Sequence, residues 1–372
     1  MAALQRLEKK QIKALLDWFS LHQRDFPWRK NPEPYWVWLA EIMSQQTQMA
    51  TLVPYFKRFV ERFPTIQDLA NSSEQDVLSA WTGLGYYSRA RNVLRAAELV
   101  VNEHGASFPE TFEGWLELPG VGPYTAAAVV SQCFGIEEPV WDGNVQRVCS
   151  RLDARKDVWT QGFRAEFEQA LREKIKGWNA SSFNQALMEL GATVCTPKQV
   201  ACHRCPLQKA CSAFSLDQVA EYPPAKPRKA AVELKCKTWV QVKRIDSKDA
   251  YVLLMHRPSN RWFGGMWDFL SELGGVEDPV VEIPGFRKSK AILFSRVRHN
   301  ITHHKIALEG WVSLQQGLAD LSAQIGPETR WIKLSELTSG QPPVPLSTTA
   351  RKLLPGLLAW VDGTLGDLRP PC

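Results

Sequence analysis

The chain has 372 residues, a formal net charge of +6 and 44% hydrophobic residues. That length predicts two or three domains with real hydrophobic cores, and the mildly basic balance is compatible with a polyanionic partner. No apolar stretch approaches the length of a membrane span, so the composition predicts that the protein does not associate with a membrane.

The pattern over residues 1–215 predicts consecutive α-helices with short breaks. Residues 1–22 have apolar side chains at helical spacing with charges between them, which is not the uninterrupted apolar core of a signal peptide. Ser72 followed by Gln75 predicts a helix start, and Asp142 is placed to cap another. We therefore expect a helical first domain in a cytoplasmic protein.

A proline-rich and basic stretch, "EYPPAKPRKAA", lies at Glu221–Ala231. Such a composition is extended and poorly helical, so residues 216–235 are predicted to be a linker. Beyond it, "TWVQVKRI" and "AYVLLMHR" predict a β-hairpin, and "LSTTARKLLPGLLAWVDGT" predicts a late helix. Residues 236–365 are therefore predicted to form a second, α+β domain.

Four cysteines stand within 17 residues, with the spacing C-x6-C-x2-C-x5-C. Clustered cysteines in an intracellular chain predict a metal site rather than disulfides. Zinc is one alternative, but zinc sites usually pair two short Cys-x2-Cys knuckles. This chain has one Cys-x2-Cys pair flanked by two longer spacings, which favours an iron–sulfur cluster. The predicted ligands are Cys195, Cys202, Cys205 and Cys211.

The stretch "LPGVGPYTA" predicts a tight turn between two helices. Gly120 and Gly122 would let another backbone approach closely. The amide groups at the start of the helix beginning at Pro123 could bind an anion such as a DNA phosphate. Taken alone, however, a Gly-x-Gly turn between helices is common, and an ordinary structural turn remains an alternative.

In combination these motifs resemble a known superfamily. "LPGVGPYTA", then "WDGNVQRV", then the four-cysteine loop follow the order found in helix–hairpin–helix DNA glycosylases. Upstream, "RDFPWRKNPEPYWVWLAEIMSQQTQ" resembles the MutY family of adenine DNA glycosylases, and the likeness covers residues 5–215 and extends more weakly beyond them. The resemblance implies an all-α helix–hairpin–helix domain over 1–215, with one [4Fe-4S] cluster per chain held by the loop 195–211. For residues 236–365 it implies a Nudix-like domain. The sequence motif of the Nudix catalytic box is absent from this chain.

The resemblance also implies the catalytic residues. The local pattern alone indicates that Glu41 is an exposed helix glutamate and that Asp142 is a helix cap. The family resemblance instead implies that Glu41 is the general acid and that Asp142 is the second catalytic carboxylate. It also implies that Asn144 orients Asp142. Tyr124 stands where endonuclease III-like enzymes have an imine-forming lysine. Because tyrosine cannot form that imine, a monofunctional glycosylase is implied.

Residues that bind DNA are implied in the same way. The sequence departs from the family at Ser44, where leucine is usual, and at Ile301, where phenylalanine is usual. The implied contacts are Arg24, Trp28 and Glu189 for adenine; Gln46, Thr47, Leu84, Tyr86, Thr302 and His303 for the opposite base and strand; and Gly120, Val121 and Gly122 for the DNA backbone.

The expected reaction is hydrolysis of the N-glycosidic bond of adenine paired with 8-oxoguanine or guanine in double-stranded DNA. We expect a monomer in the bacterial cytoplasm, associated with the nucleoid. Two alternatives stay open at this point: a bifunctional endonuclease III-like glycosylase/lyase, and a non-catalytic DNA-binding relative. The presence of both carboxylates argues against the second alternative, and Tyr124 argues against the first.

Overall fold

The computed structural model describes residues 4, 7–227, 230–244, 250–258, 262–273, 290–301, 303–315, 328–339 and 342–366. The chain divides into two compact units. The first comprises Met1–Ser72 and Ser88–Pro227, and the second comprises Ser73–Tyr87 and Arg228–Cys372. A segment from the helical half of the sequence therefore belongs to the same compact unit as the C-terminal half.

The chain before residue 216 is helical, as predicted. Its helices are α1 (Lys9–His22), α2 (Pro27–Lys30), α3 (Pro34–Ser44), α4 (Met49–Arg62), α5 (Ile66–Ala70), α6 (Glu74–Trp81), α7 (Ser88–Glu103), α8 (Phe112–Leu116), α9 (Pro123–Cys133), α10 (Gly143–Asp153), α11 (Gln161–Ile175), α12 (Ala180–Thr193) and α13 (Ser212–Ser215).

Helix α9 lies at the centre of the first unit. Its sequence "PYTAAAVVSQC" is mostly small and apolar, and every residue from Thr125 to Ser131 is buried. Small side chains allow close approach of neighbouring helices on several sides. As a result α3, α8 and α12 all pack against α9, while α10 and α1 pack against α12. This packing brings the first turn of α9 against α3.

Helix starts follow local capping chemistry. The Asp142 side chain accepts a hydrogen bond from the Val145 N–H and caps α10, as predicted. The cap of α6 is Ser73, whose hydroxyl accepts from the Asp76 N–H. The predicted start at Ser72 is therefore one residue too early, because two adjacent serines offer the same hydroxyl and the sequence pattern does not separate them.

The second unit contains a mixed sheet. Its strands are β1 (Val232–Arg244), β2 (Ala250–His256), β3 (Trp267–Asp268), β4 (Leu270–Leu273), β5 (Ile292–Ile301), β6 (His304–Gln315) and β7 (Thr329–Lys333), and its later helices are α14 (Leu334–Leu337) and α15 (Thr348–Gly366).

Strands β1 and β6 run parallel at the middle of this sheet. The strand order is β3-β2-β1-β6-β5, with β4 paired to β1 and β7 paired to β2. Helix α15 packs against β5 and β6 and buries Leu353 and Leu357 in a core that includes Val240 and Val312. The α+β class and the β1–β2 hairpin are as predicted, and β1 begins inside the segment predicted as linker.

Candidate active site

Glu41 lies in α3 and is buried, with only 8% of its surface exposed. The Tyr124 hydroxyl donates to Glu41 Oε2 at 2.7 Å, and Gln132 Nε2 donates to Oε1 at 3.5 Å. Burial raises the pKa of the Glu41 carboxyl, and the nearby charge of Asp142 adds to this, although the two donors act in the opposite direction. Glu41 is thus held as a carboxyl group suited to carry a proton.

Tyr124 follows the glycine turn and is the first large side chain of α9. Burial raises the pKa of its phenol well above the ordinary value, and the charges of Glu41 and Asp142 raise it further. The hydroxyl therefore stays protonated and serves as a fixed donor to Glu41.

Asp142 is the N-cap of α10 and lies close enough to Glu41 and Tyr124 for its charge to affect both. Val145 N–H donates to its Oδ1 at 2.7 Å, and Asn144 Nδ2 donates to its Oδ2 at 2.8 Å. Burial raises the pKa of the Asp142 carboxyl, while these hydrogen bonds and the charge of Arg147 lower it. Burial outweighs these effects, so the pKa of Asp142 is raised overall, as is that of Glu41. The two groups differ in their donors, because the Asp142 oxygens accept from an amide in the first turn of a helix and from a neighbouring side-chain amide.

Arg147 is a part of this site that sequence reasoning missed. Its Nη2 donates to Asn144 Oδ1 at 2.8 Å and to the Gly191 carbonyl at 2.7 Å. Its Nε donates to the Cys195 carbonyl at 2.8 Å. A Cβ on Gly191 would lie 2.6 Å from the Cβ of Asn144, so glycine permits this close approach. Arg147 therefore joins the Asp142–Asn144 pair to the start of the cysteine loop.

Glu189 on α12 forms a buried ion-pair cluster with two arginines. Arg24 Nε lies 2.6 Å from Oε1, and Arg29 Nη2 lies 2.9 Å from Oε2. Burial acts to raise the pKa of Glu189, but the Arg24 hydrogen bond and both positive charges outweigh it and lower the pKa. Arg29 lies in the stretch "RDFPWRKNPEPYWVWLAEIMSQQTQ" but was not among the predicted site residues.

Replacing Glu189 by Gln should lower the free energy of unfolding by about 3 kcal/mol at neutral pH, the lower end for a broken buried ion pair because Arg24 is partly exposed. The pKa of Glu189 in the folded state lies below the ordinary value of 4.5. The stabilisation that Glu189 provides is therefore complete above pH 4.5 and is lost as the pH falls through the folded-state pKa. Melting temperatures of the wild type and of Glu189→Gln should therefore converge on acidification. Glu173→Gln, which removes an exposed surface pair, is the control; a constant difference at every pH would contradict the assignment.

The remaining residues implied to contact adenine or the opposite strand differ in how far they are buried and in the unit to which they belong. Trp28 is 6% exposed and packs between Phe26 and Phe56, with ring centroids 5.0 Å away in each case. Leu84 and Tyr86 belong to the second unit; Leu84 is buried, whereas Tyr86 is 43% exposed.

Gln46 and Thr47 form the turn that follows α3. Gln46 has a φ of 61°, in the left-handed region, and Thr47 N–H donates to the Ser44 carbonyl at 3.0 Å. Arg89 Nη1 donates to three carbonyl oxygens at the end of α3 and so holds this turn in place. The three acceptors are Ile42 (2.7 Å), Met43 (3.1 Å) and Gln45 (2.8 Å).

The two glycines of the hairpin serve different needs. Gly120 has a φ of 78°, and a Cβ there would lie 2.7 Å from the Cβ of Asn92 on α7. Gly122 is the extended N-cap of α9, and a Cβ there would meet nothing within 4 Å. Gly120 is therefore required by the fold, whereas the space at Gly122 is open beside the helix start. Val121 between them is buried.

The four cysteines of the loop line one cavity, together with Val194, Val200, Phe214 and Val219. All four are free thiols. Burial raises the pKa of Cys205 to about 12 and also raises those of Cys202 and Cys211. Thiols in such surroundings ionise when a metal supplies positive charge. Within the described residues, no group of three or more His, Cys, Asp or Glu side chains is placed to hold a single metal ion.

His303 lies in the turn that joins β5 to β6, where Ile301 pairs with His304. The rings of His303 and His304 are 4.1 Å apart. Thr302, implied as a contact to the opposite base, lies outside the described residues. Among the helices that the structure describes, none is both long and apolar enough to cross a membrane.

The chain is similar to known DNA repair proteins. A family model described as "HhH-GPD superfamily base excision DNA repair protein" matches residues 39–176. The chain is 38% identical to an adenine DNA glycosylase of Buchnera aphidicola (strain Sg) over 59% of this chain and 64% of that protein. It is 43% identical to the adenine DNA glycosylase of Rattus norvegicus over 54% of this chain and 40% of that protein. The chain thus spans less than two thirds of either relative.

A solved structure is also similar to part of this chain. A thermostable thymine-DNA glycosylase shares 26% identity and a TM-score of 0.52, covering 56% of this chain and 98% of that one. The range matched by the family model, residues 39–176, includes both Glu41 and Asp142.

Proposed function

We propose that this chain, whose residues 39–176 belong to the HhH-GPD superfamily of base excision DNA repair proteins, hydrolyses the N-glycosidic bond of adenine in duplex DNA. The observation that carries the proposal is a pair of carboxyl groups held by different donors: Glu41, which is buried, and Asp142, which is partly buried. Similarity to adenine DNA glycosylases supports adenine as the substrate base.

The two carboxyl groups suit the two halves of the reaction. Adenine leaves poorly as an anion, so the Glu41 carboxyl gives its proton to adenine N7 while the bond between the sugar C1′ and N9 breaks. The bonding electrons go to the base, which departs as neutral adenine. The Asp142 carboxylate, with its charge fixed by Val145 N–H and Asn144, stabilises the positive charge that develops on the sugar. Water then adds to C1′ and gives a proton to Glu41.

Tyr124 makes the proposed enzyme monofunctional. Its hydroxyl is hydrogen-bonded to Glu41 and offers no amine for attack on the sugar. The product is then an abasic site in an intact strand.

Strand scission should therefore need added alkali. A duplex containing adenine opposite 8-oxoguanine, labelled on the adenine strand, should stay full length after incubation and break only after hot alkali treatment. Borohydride added during turnover should trap no covalent enzyme–DNA adduct. A stoichiometric trapped adduct, or scission without alkali, would instead support the bifunctional alternative.

We extend the proposal to 8-oxoguanine as the preferred opposite base. Leu84, Tyr86 and His303, which the family likeness links to the opposite base or strand, all fall in the second unit. Base contacts and an inserted apolar side chain can together discriminate the partner of the extruded adenine. The catalytic residues, by contrast, all fall in the first unit.

The cysteine loop is proposed to hold one [4Fe-4S] cluster through Cys195, Cys202, Cys205 and Cys211. The shared cavity and the burial of its thiols support this assignment. When bound, the cluster would supply a rigid centre that fixes the loop, and Arg147 would connect that loop to Asn144.

Metal analysis tests the cofactor proposal. The purified protein should be brown and contain about four irons and four acid-labile sulfides per chain. Cys202→Ser should lower the iron content and the visible absorbance together, whereas Cys133→Ser, outside the loop, should change neither. One zinc per chain without iron would refute the cluster.

A further inference from the structure

Arg151 on α10 is a buried arginine beside the cysteine loop, with 2% of its surface exposed. Its Nη1 lies 3.3 Å from Cys195 Sγ and donates to the Thr196 carbonyl at 2.8 Å. Its Nε donates to the Tyr222 carbonyl at 2.7 Å. Hydrogen bonds from Nε and Nη1 to three acceptors therefore hold the guanidinium, and one of the acceptors is a sulfur.

These three hydrogen bonds position the guanidinium of Arg151 but do not neutralise its charge. The acceptors are two backbone carbonyls and a sulfur, and none of the three is a carboxylate. A buried cation is costly unless a negative group lies close. The nearest group that becomes negative on binding metal is the Cys195 thiolate, and Cys211 Sγ lies 3.3 Å from the carbonyl of Arg151 itself. Arg151 thus contacts both the first and the last cysteine of the loop.

We infer that Arg151 sets the reduction potential of the cluster by donating an N–H···S hydrogen bond to the Cys195 thiolate. The inference rests on the [4Fe-4S] cluster of the proposed function. Potentials of such clusters depend on hydrogen bonds to the cysteine sulfurs, on net charge and on burial. Arg151 supplies a hydrogen bond and a positive charge at a buried position.

The direction of the effect follows from charge. The more reduced state of a cluster places more negative charge on its sulfurs, and a cationic donor stabilises that state more than the oxidised one. Arg151 therefore raises the potential and protects the cluster from losing an electron. Removing it should make the cluster easier to oxidise.

The test is a redox measurement on iron-loaded protein. Arg151→Met should shift the one-electron equilibrium about tenfold toward the oxidised state, which corresponds to about 59 mV. Film voltammetry gives the midpoint, and ferricyanide oxidation followed by electron paramagnetic resonance gives an independent reading. Arg147→Gln is the matched control, because Arg147 contacts the carbonyl of Cys195 and not its sulfur. Its shift should be less than threefold.

Arg151→Lys keeps the charge but cannot bridge Cys195 Sγ and the Thr196 carbonyl with one planar group. It should shift the redox equilibrium toward the oxidised state by about threefold. If Arg151→Met does not load iron, the potential of Arg151→Lys tests the inference in its place. Iron-loaded Arg151 variants with the wild-type potential would overturn the inference while leaving the cluster in place. A wild-type protein that holds no iron would instead overturn the cluster itself.

Discussion

Replacing Glu41 by Gln should lower the rate of adenine excision by at least ~100-fold, the loss expected when a positioned general acid is removed. Glutamine can still accept the Tyr124 hydrogen bond but has no proton of suitable acidity for adenine N7. The fold and the affinity for mismatched duplex should be retained, because the substitution preserves size. Single-turnover excision and duplex binding measure the two properties separately.

The pH dependence of excision provides a second test of the role of Glu41 as the general acid. Since burial raises the pKa of Glu41, the protonated and active form should persist to higher pH than in an ordinary glutamate. Activity should then fall as the pH rises through that raised pKa. Glu33→Gln, an exposed glutamate at the start of the same helix, should leave the rate and its pH profile unchanged. Near-normal excision by Glu41→Gln would disprove its role as the acid.

Replacing Asp142 by Asn should also reduce excision by at least ~100-fold, because a fixed negative charge next to the sugar is lost. Asparagine is as good a helix cap as aspartate, so the hydrogen bond from Val145 N–H and the start of α10 should survive. The expected result is a stable protein that binds duplex and does not release adenine.

Asp68→Asn offers a matched control for this variant. Asp68 is an exposed carboxylate in the first turn of α5, where it belongs to a capping box with Thr65. Its replacement should leave excision unchanged. If Asp142→Asn excised adenine at nearly the wild-type rate, charge stabilisation by this residue would be refuted, and a purely capping role would remain.

The sequence predicted those features that depend on near neighbours along the chain. Asp142 was predicted as a helix cap because capping needs only a short polar side chain and the following amides. The β1–β2 hairpin and the late helix were predicted from alternation and helical periodicity. The N-cap of α6 was predicted at Ser72 instead of Ser73, because the two adjacent serines are equally good capping residues by sequence pattern.

Features that depend on distant parts of the chain were not predictable in the same way. The pattern around Glu41 indicates an exposed glutamate, and only the packing of α3 against α9 buries it beside Tyr124. Arg147 was missed because its partners Gly191 and Cys195 lie 44 and 48 residues away in the sequence. The inclusion of Ser73–Tyr87 in the second unit likewise has no local signal, since it results from tertiary contacts.

Identification of the released base tests the proposed reaction most directly. Wild-type protein should be incubated with duplex that carries adenine opposite 8-oxoguanine, and the small molecules should be separated and identified by mass. We expect one free adenine per duplex, an intact strand bearing an abasic site, and no release with Glu41→Gln. Release of 8-oxoguanine, or no release of adenine by protein that binds the duplex, would contradict the proposed function.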